Sequence, residues 1–217
     1  MAHARFHKLA PERQQAILDA AAEEFSEHGF DGASYNRIIE RAGISKGVAY
    51  YYFEGKEDLY ATVLEATVAG LMGVMGAWAP PADAESFWRE LRRSYFALLD
   101  FVMEDARSAR LLRGLSQARL NPKLQAAWHR FEAPMLGWLQ RVLADGRKVG
   151  AVRTDVPEDL LLAALMGVAQ ATDFWLLEQW ERAGVPAMRR GAEQVLSLFE
   201  DLATERPHRK PARPKKR

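Results

Sequence analysis

Apolar residues recur at helical spacing along almost the whole chain, and no segment alternates apolar and polar residues as a strand would. Ile17, Ala21 and Phe25 share one face of a first helix, and Gly29 suits the left-handed cap that ends it. Apolar residues occupy 48% of the 217 positions, which is enough for a buried core. The pattern therefore predicts an all-α fold.

Helix length and composition change along the chain. Three short helices fill residues 1–55, and longer helices that are richer in aromatic residues follow. We predict an N-terminal three-helix helix-turn-helix domain in residues 1–55 and a helical bundle in residues 56–204. Residues 205–217 carry seven Lys or Arg, three prolines and one acid, which predicts a disordered basic tail. That tail either adds sequence-independent attraction to nucleic acid or serves only solubility.

The stretch GISKGVAYYYFEGKEDLY, residues 43–60, contains the strongest local signals. Ser34 and Ser45 are suited to cap two short helices, and Gly43 separates these helices. Two short helices joined by a glycine-containing turn have the proportions of a helix-turn-helix, whose second helix lies in the major groove of DNA. The helix that begins at Lys46 is therefore the candidate recognition helix.

The two faces of this candidate helix differ in composition. Lys46, Gly47 and Tyr50 fall on one face, and we expect them to point outward. Ala49 and Phe53 fall on another face, and we expect them to pack inward. Glycine costs a helix about 1 kcal/mol relative to alanine, but on a groove-facing surface it lets the backbone approach DNA. The other interpretation is that the aromatic residues form the core of a three-helix unit.

Three adjacent tyrosines spread over about 200° of helix surface, so they cannot share one role. We expect Tyr50 to meet base edges or a phosphate, and Tyr52 to donate its hydroxyl to a phosphate. We expect Tyr51 to lie wedged between helices. Lys56 begins the next helix, where its ammonium and the exposed N–H groups suit another phosphate.

The charge of the first 60 residues is acidic, with seven basic and ten acidic side chains. A nucleic-acid-binding domain usually has a basic surface, so we expect Glu23, Glu24 and Glu27 to face away from DNA. An N-terminal arm is another source of positive charge. Its residues are His3, Arg5, His7 and Lys8.

Residues 17–60 resemble the tetracycline-repressor (TetR) family of bacterial transcription regulators. The matching features are Phe25, Gly29 and Phe30, then the stretch AGISKG, then YYYF and KEDL. The resemblance implies a homodimer whose protomers each have an N-terminal DNA-binding domain and a C-terminal domain that binds a small ligand and dimerises. It also implies a repressor that binds a palindromic operator in double-stranded DNA and leaves it when an inducer binds. The alternatives are an activator of the same family and a helical ligand-binding protein without DNA binding.

The resemblance also assigns DNA contacts by position. The residues carried over are Ser34, Tyr35, Asn36, Lys46, Gly47, Val48, Tyr50, Tyr52 and Lys56. Val48 and Ala49 replace the Thr-Leu or Ser-Leu pair that the family more often has, so one hydroxyl is missing. Val48 offers its methyl groups to a thymine instead. Tyr51 stands where the family often has histidine.

The second domain is dense in aromatic residues and methionines. A bundle core explains this density, and an apolar ligand pocket with a few polar anchors is the alternative. The candidate ligand-binding residues are Tyr95, Trp128, Phe131, Met135, Trp138, Gln170, Asp173 and Phe174. Gln170 and Asp173 are neighbours on one helix and either anchor the ligand or hydrogen-bond across a dimer interface. We expect an apolar or aromatic small-molecule inducer.

Apolar stripes run along two late helices, at about 157–182 and 186–204. Two such helices from each protomer would form an intermolecular four-helix bundle, which predicts a homodimer. A two-fold axis would then present two recognition helices one DNA turn apart, ~34 Å.

Several classes of protein are disfavoured. The chain has no cysteine and no secretory-type N-terminus, and the apolar stretch 160–177 is interrupted by Gln170 and Asp173. These features predict a cytoplasmic protein that does not span a membrane. The five histidines show no spacing typical of metal ligands or of a nucleophile with its base. We therefore expect no metal, no cofactor and no enzymatic activity.

Overall fold

The computed structural model describes residues 4–104, 109–111 and 121–205, without the side chain of Phe174. In this part of the chain every regular element is helical and no strand occurs, which confirms the all-α prediction. The helix expected at about 106–120 lies largely outside the described residues. His3 of the expected N-terminal arm and residues 206–217 of the expected basic tail also lie outside them.

The helices that the described ranges define are α1 Pro11–Gly32, α2 Tyr35–Arg41, α3 Lys46–Tyr52, α4 Lys56–Met75, α5 Ala84–Glu104, α6 Gln125–Lys148 and α7 Glu158–Ala203. Two short 3₁₀ turns, Phe6–Lys8 and Pro122–Leu124, precede α1 and α6. The backbone departs from helical geometry at Gly29 within α1, with φ of 65°, and at Gly184 within α7, with φ of 72°. Both glycines therefore break the helical pattern where the sequence predicted a break.

Local capping signals define the helix-turn-helix. The Ser34 hydroxyl accepts a hydrogen bond from the Arg37 N–H at 3.3 Å, and the Ser45 hydroxyl accepts one from the Val48 N–H at 3.3 Å. Both predicted N-caps are confirmed. Gly43, between α2 and α3, has a φ of 61°, a left-handed conformation that glycine adopts without strain. Two serines and one glycine thus determine where α2 ends and where α3 begins.

The described residues form two compact units. The first lies within Met1–Ala79 and Leu91–Arg141, and the second within Pro80–Glu90 and Val142–Arg217. The predicted boundary between residues 55 and 56 therefore falls inside the first unit.

The core of the first unit joins the helix-turn-helix to later helices. Within this unit α1 packs against α2 and α4, and α4 contacts the 3₁₀ turn Pro122–Leu124. One buried cluster contains Phe25, Phe53 and Leu64 together with Leu124 and Ala127 at the start of α6. The helix-turn-helix therefore shares its core with residues of the predicted second domain.

In the second unit, α7 buries one set of apolar side chains and exposes another. Leu161, Leu165 and Val195 are between 1% and 6% exposed and belong to the interior of the protomer. The large apolar side chains of α7 that remain exposed are Leu160, Trp175, Val185 and Leu198.

Two helices, α4 and α7, are long and apolar enough to cross a membrane by length and composition alone. This is a weak indication, because core helices of soluble proteins meet the same criterion and 56% of the α4 window is buried.

Candidate nucleic-acid interface and sensor residues

The candidate recognition helix α3 presents one face to the core and one to solvent. Ala49 and Phe53 are each 1% exposed, whereas Tyr50 is 50% exposed. Lys46 and Gly47 lie on the surface. The two predicted faces are therefore confirmed, and the interpretation that these aromatic residues all belong to a core is wrong.

The prediction for Tyr51 is wrong. Its side chain is 49% exposed, whereas its neighbour Tyr52 is half-buried. The Phe6 ring of the N-terminal 3₁₀ turn lies 6.2 Å from the Tyr52 ring and 4.9 Å from the Phe53 ring, between ring centroids. Phe6 thus takes up the space beside the end of α3, and Tyr51 is left on the surface. The apolar residue at Phe6, ahead of α1, was the signal that could have indicated this packing.

Tyr35 lies beneath Tyr50, with the two ring centroids 5.6 Å apart. Its hydroxyl is buried and has no hydrogen-bond partner among the described residues. Desolvation, with smaller contributions from Tyr50 and Asp58, raises the pKa of Tyr35 to about 12. In this conformation the Tyr35 hydroxyl is not accessible to DNA.

A buried carboxylate fixes the N-terminus of α2. Glu24 is 1% exposed, and its Oε1 accepts hydrogen bonds from the Ser34 N–H at 2.8 Å and from the Arg37 guanidinium at 2.6 and 2.9 Å. The hydrogen bonds from Arg37 hold the pKa of Glu24 below its ordinary value of 4.5, although burial opposes them. Glu24 does not face DNA as a surface charge, and its burial in the core was not predicted from the sequence. Its place four residues after the buried Ala20 was the available signal.

Lys56 links the start of α4 to the end of α1. Its ammonium donates to the Ala33 carbonyl at 3.0 Å and to the Asp31 carbonyl at 3.3 Å, and it lies 4.6 Å from the centroid of the Phe30 ring. An ammonium has three N–H donors, so one remains for a phosphate. The sequence indicated the phosphate contact but not this connection between helices.

The basic side chains of the DNA-binding region divide into two groups. Arg37 and Arg41 pair with acids of α1, and Arg13 and Lys56 donate to backbone carbonyls. The side chains that make no hydrogen bond or ion pair with any described residue are Arg5, Lys8 and Lys46. Most of the positive charge is thus used within the protein, which leaves few cations for a phosphate backbone.

Five of the eight predicted ligand-binding residues belong to the first unit. Trp128 and Phe131 pack against the cluster that contains the helix-turn-helix core. Trp138 is 8% exposed, and its ring centroid lies 5.9 Å from that of Trp78. Tyr95 and Met135 are half-buried. Core packing therefore describes Trp128, Phe131 and Trp138 in this structure.

The other three predicted ligand-binding residues lie on α7, in the second unit. Gln170 is half-buried, and the side chain of Phe174 lies outside the described residues. Asp173 is reached by solvent, yet the protein around it desolvates its carboxyl and raises its pKa to about 7.

A small cavity of about 80 Å³ lies at the C-terminal end of α1. Its lining includes Phe25, Phe30, Tyr60, Arg110, Leu111 and Asn121, and none of the predicted ligand-binding residues. It is much smaller than a typical ligand pocket of about 300–1,000 Å³. The described ranges also contain no group of three or more His, Asp or Glu side chains that could hold a metal ion.

Two parts of the chain match known protein families. Residues 17–63 match the family described as bacterial regulatory proteins, tetR family. Residues 95–191 match the C-terminal domain of SbtR-like transcriptional regulators. The first match covers α2, α3 and the capping serines, and the second covers most of the helices that follow α4.

Individual relatives agree with these matches. The transcriptional repressor AcnR of Corynebacterium glutamicum is 28% identical over 193 residues, which are 89% of this chain and 93% of AcnR. The transcriptional activator FasR of Mycolicibacterium smegmatis is 36% identical over 102 residues, and the match spans only 45% of FasR.

Solved structures share the fold. A TetR-family regulator from Chloroflexus aurantiacus J-10-FL superposes with a TM-score of 0.61 at 25% identity, over 95% of this chain and 100% of that one. FadR of Bacillus subtilis, solved in complex with stearoyl-CoA, gives a TM-score of 0.66 at 19% identity, over 85% of this chain and 96% of FadR.

A helix-turn-helix with a solvent-facing recognition helix, followed by a helical sensor region, defines a class of bacterial transcription regulators. The chain belongs to one family of that class, the TetR family. Members of this family regulate transcription and are not enzymes.

Proposed function

We propose that the chain is a ligand-responsive repressor that binds a palindromic operator as a homodimer and is released by a small apolar inducer. The observation that carries this proposal is the solvent face of α3. On that face Lys46, Gly47 and the exposed Tyr50 lie opposite the buried Ala49 and Phe53. Such a face supplies donors for phosphates and base edges, and its glycine leaves room for the DNA.

Gly47 gives specific support, because the protein itself does not need a glycine there. A Cβ added at Gly47 would meet no atom nearer than the Ser45 Oγ, at 4.0 Å, and the φ of Gly47 is not left-handed. Alanine would also favour the helix by up to about 1 kcal/mol. We infer that the need for glycine comes from the close approach of DNA to the start of α3.

The other proposed contacts surround this point. Ser34 caps α2 and can still donate its hydroxyl proton to a phosphate. Val48 is 37% exposed and offers its methyl groups to a thymine. The complete proposed set is Ser34, Tyr35, Asn36, Lys46, Gly47, Val48, Tyr50, Tyr52 and Lys56.

The dimer is proposed to form along α7, through the segments predicted at about 157–182 and 186–204. Leu160 is 60% exposed and Leu198 is 52% exposed, and Val185 and Trp175 are also exposed. Burying such side chains contributes roughly 25 cal/mol per Å² of apolar surface, so a second copy of the same helix is a suitable partner. A two-fold arrangement would present two α3 helices to successive major grooves, ~34 Å apart.

The inducer is proposed to be an apolar or aromatic small molecule. Support comes from Tyr95, Met135 and Trp138, which are apolar or aromatic and lie inside or at the edge of the first unit. FadR, which shares this fold, was solved in complex with stearoyl-CoA, and this supports an apolar ligand for the fold. The complete proposed set is Tyr95, Trp128, Phe131, Met135, Trp138, Gln170, Asp173 and Phe174.

Induction is proposed to act through α4. Lys56 at its first turn donates to the Asp31 and Ala33 carbonyls, next to the cap of α2. A ligand that displaced α4 would therefore move the helix-turn-helix and change the separation of the two recognition helices. A ligand shifts such an equilibrium only by its difference in affinity for the two states, so the DNA-free state must bind the inducer more tightly.

Fluorescence anisotropy tests the proposal with a duplex that the wild-type protein enriches from a random-sequence pool. We expect tight binding that weakens steeply with salt and that falls further when long-chain acyl or aromatic compounds are added. Binding to no duplex would contradict the proposed repressor. DNA binding that persists with every compound that binds the sensor would contradict induction alone.

The name of FasR favours an activator as the second candidate, because FasR is 36% identical over 102 residues. A reporter gene placed behind the enriched duplex separates the two, since a repressor lowers its expression and an activator raises it. In either case we expect the protein to act in the cytoplasm, without a metal or another cofactor.

A further inference from the structure

The segment before α1 is docked on the recognition helix. Phe6 is 1% exposed, and its ring lies against those of Tyr52 and Phe53 at the end of α3. The Gln14 side chain on α1 donates to the Leu9 carbonyl at 2.8 Å and holds the other side of the segment. The 3₁₀ turn Phe6–Lys8 is therefore fixed beside α3 by a buried ring and by a hydrogen bond.

This docking sets the position of Arg5. The guanidinium carbon of Arg5 lies 4.2 Å from the centroid of the Tyr51 ring, in the geometry of a cation–π contact. Tyr51 is 49% exposed, so the pair stands on the surface. The Arg5 side chain makes no hydrogen bond or ion pair with any described residue. Stacking uses the face of a guanidinium and leaves the N–H donors at its edge for a ligand.

Two of the three cations that make no hydrogen bond or ion pair with the described residues lie at the ends of α3. Lys46 is the first residue of this helix, and Arg5 stacks on Tyr51 in its last turn. A helix of seven residues is about 10 Å long, and the major groove is about 12 Å wide. Cations at the two ends of such a helix are therefore spaced to meet the phosphates on the two sides of the groove.

We propose that Arg5, held on the Tyr51 ring, contacts a DNA phosphate at the C-terminal end of the recognition helix. Lys46 meets the backbone at one end of α3 and Arg5 meets it at the other. The contact strengthens binding to any duplex and carries no sequence information. It also adds a cation to Lys46 and Lys56, the other proposed phosphate contacts of this acidic domain. This inference rests on the DNA binding proposed above.

Salt dependence of binding tests the contact directly. The Arg5→Gln variant is compared with wild type on the enriched duplex and on a scrambled duplex of equal length. Loss of one phosphate contact lowers the slope of log K against log salt by about 0.9 per protomer. We expect affinity to fall roughly three- to tenfold per protomer for both duplexes, with an unchanged ratio between them. Arg89→Gln removes the same charge from exposed α5, and we expect it to leave the slope unchanged.

A double-mutant cycle tests the anchoring by Tyr51. Tyr51→Leu removes the stacking ring but keeps Arg5, whereas Tyr51→Phe keeps the ring. We expect Tyr51→Leu to weaken binding in wild type and to have no further effect in the Arg5→Gln variant, while Tyr51→Phe behaves as wild type. Additive losses would overturn the anchoring, because Tyr51 would then contact DNA independently of Arg5.

The remaining outcomes separate this inference from the proposed function. Arg5→Gln with the affinity and salt slope of wild type would overturn the contact and leave DNA binding intact. A loss confined to the enriched duplex would also overturn it, because it would indicate a base contact. Wild-type protein that bound no duplex would contradict the proposed DNA binding itself. Arg5 is exposed, so the thermal unfolding of Arg5→Gln should match that of wild type.

Discussion

The solvent faces of α3 and α7 are built in opposite ways. The α3 helix has seven residues, and its outward face carries a lysine, a glycine and tyrosines above a network of capping hydrogen bonds. The α7 element has 46 residues, and its exposed large side chains are apolar. A hydrated, charged partner such as DNA suits the first face, and a second apolar helix suits the other. The difference supports the proposal that α3 binds the operator and that α7 binds the second protomer.

Reversing the charge at Lys46, on the outward face of α3, should cause the largest loss of DNA affinity. Lys46→Glu replaces an attraction to phosphate by a repulsion in both protomers. We expect operator affinity to fall by at least about 100-fold, since a loss of 1.4 kcal/mol in each protomer is tenfold twice. Anisotropy measures the loss. Lys123→Glu changes the same charge at an exposed position in the turn before α6 and should have little effect.

A charge on the exposed apolar face of α7 should weaken the proposed dimer. Leu198 is 52% exposed, and Leu198→Glu would place a carboxylate in the proposed dimer interface. We expect a shift toward the 24.5 kDa protomer in sedimentation. Operator affinity should fall by roughly 10- to 100-fold, because two linked half-sites bind together. Gln140→Glu adds a similar charge at an exposed position of α6. An equal shift toward the protomer in that variant would argue against α7 as the interface.

Glu24→Gln tests how much the buried carboxylate at the start of α2 stabilises the helix-turn-helix. The change keeps an acceptor for Ser34 but removes the charge that Arg37 contacts. We expect the free energy of unfolding to fall by about 1–2 kcal/mol at pH 7. The folded-state pKa of Glu24 lies below its ordinary 4.5, so its contribution is present above pH 4.5 and disappears as the pH falls through the folded-state value.

Denaturant unfolding at several pH values checks this expectation. Wild type and Glu24→Gln should differ at pH 7 and converge on acidification. Glu23→Gln is the matched control, because Glu23 pairs with Arg41 on the surface and should contribute under about 0.5 kcal/mol. A variant whose stability equals that of wild type at pH 7 would contradict the role given to Glu24.

The contribution of Asp173 to stability should change with pH in the opposite direction to that of Glu24, and it should be the smallest of these effects. Its folded-state pKa is raised to about 7, so ionisation of Asp173 weakens the folded state increasingly as the pH rises from its ordinary 3.8 toward 7. Asp173→Asn should stabilise the protein at pH 8, by less than about 1 kcal/mol since the side chain is solvent-accessible. Thermal unfolding should show that the stabilisation by Asp173→Asn disappears near pH 4. A stabilisation that increased on acidification would contradict the raised pKa of Asp173.

The features predicted correctly from the sequence follow from local rules. Ser34 and Ser45 cap helices because their hydroxyls reach N–H groups three residues ahead, and the inward Ala49 and Phe53 follow from helical periodicity. Neighbours in sequence determine these features, so a single sequence is enough to predict them. The all-α fold class follows in the same way from the spacing of apolar residues.

The features that were missed depend on residues far apart in the sequence. Phe6 reaches the end of α3 across more than 40 positions and packs on Tyr52 and Phe53, whereas Tyr51 stays exposed. Trp128 packs on the core of the helix-turn-helix although it lies in the predicted sensor region. No periodic pattern within a helix determines which distant element covers it, so these contacts required the structure.

The most direct test of the central claim is to measure DNA affinity and thermal stability together for Gly47→Ala. We predict that operator affinity falls roughly tenfold or more, because a methyl group at the close approach costs about 1.4 kcal/mol or more. Stability should stay equal or rise by up to about 1 kcal/mol, since alanine favours the helix and the added Cβ meets open space. A variant that bound the operator as tightly as wild type would contradict the claim that DNA lies against this face of α3.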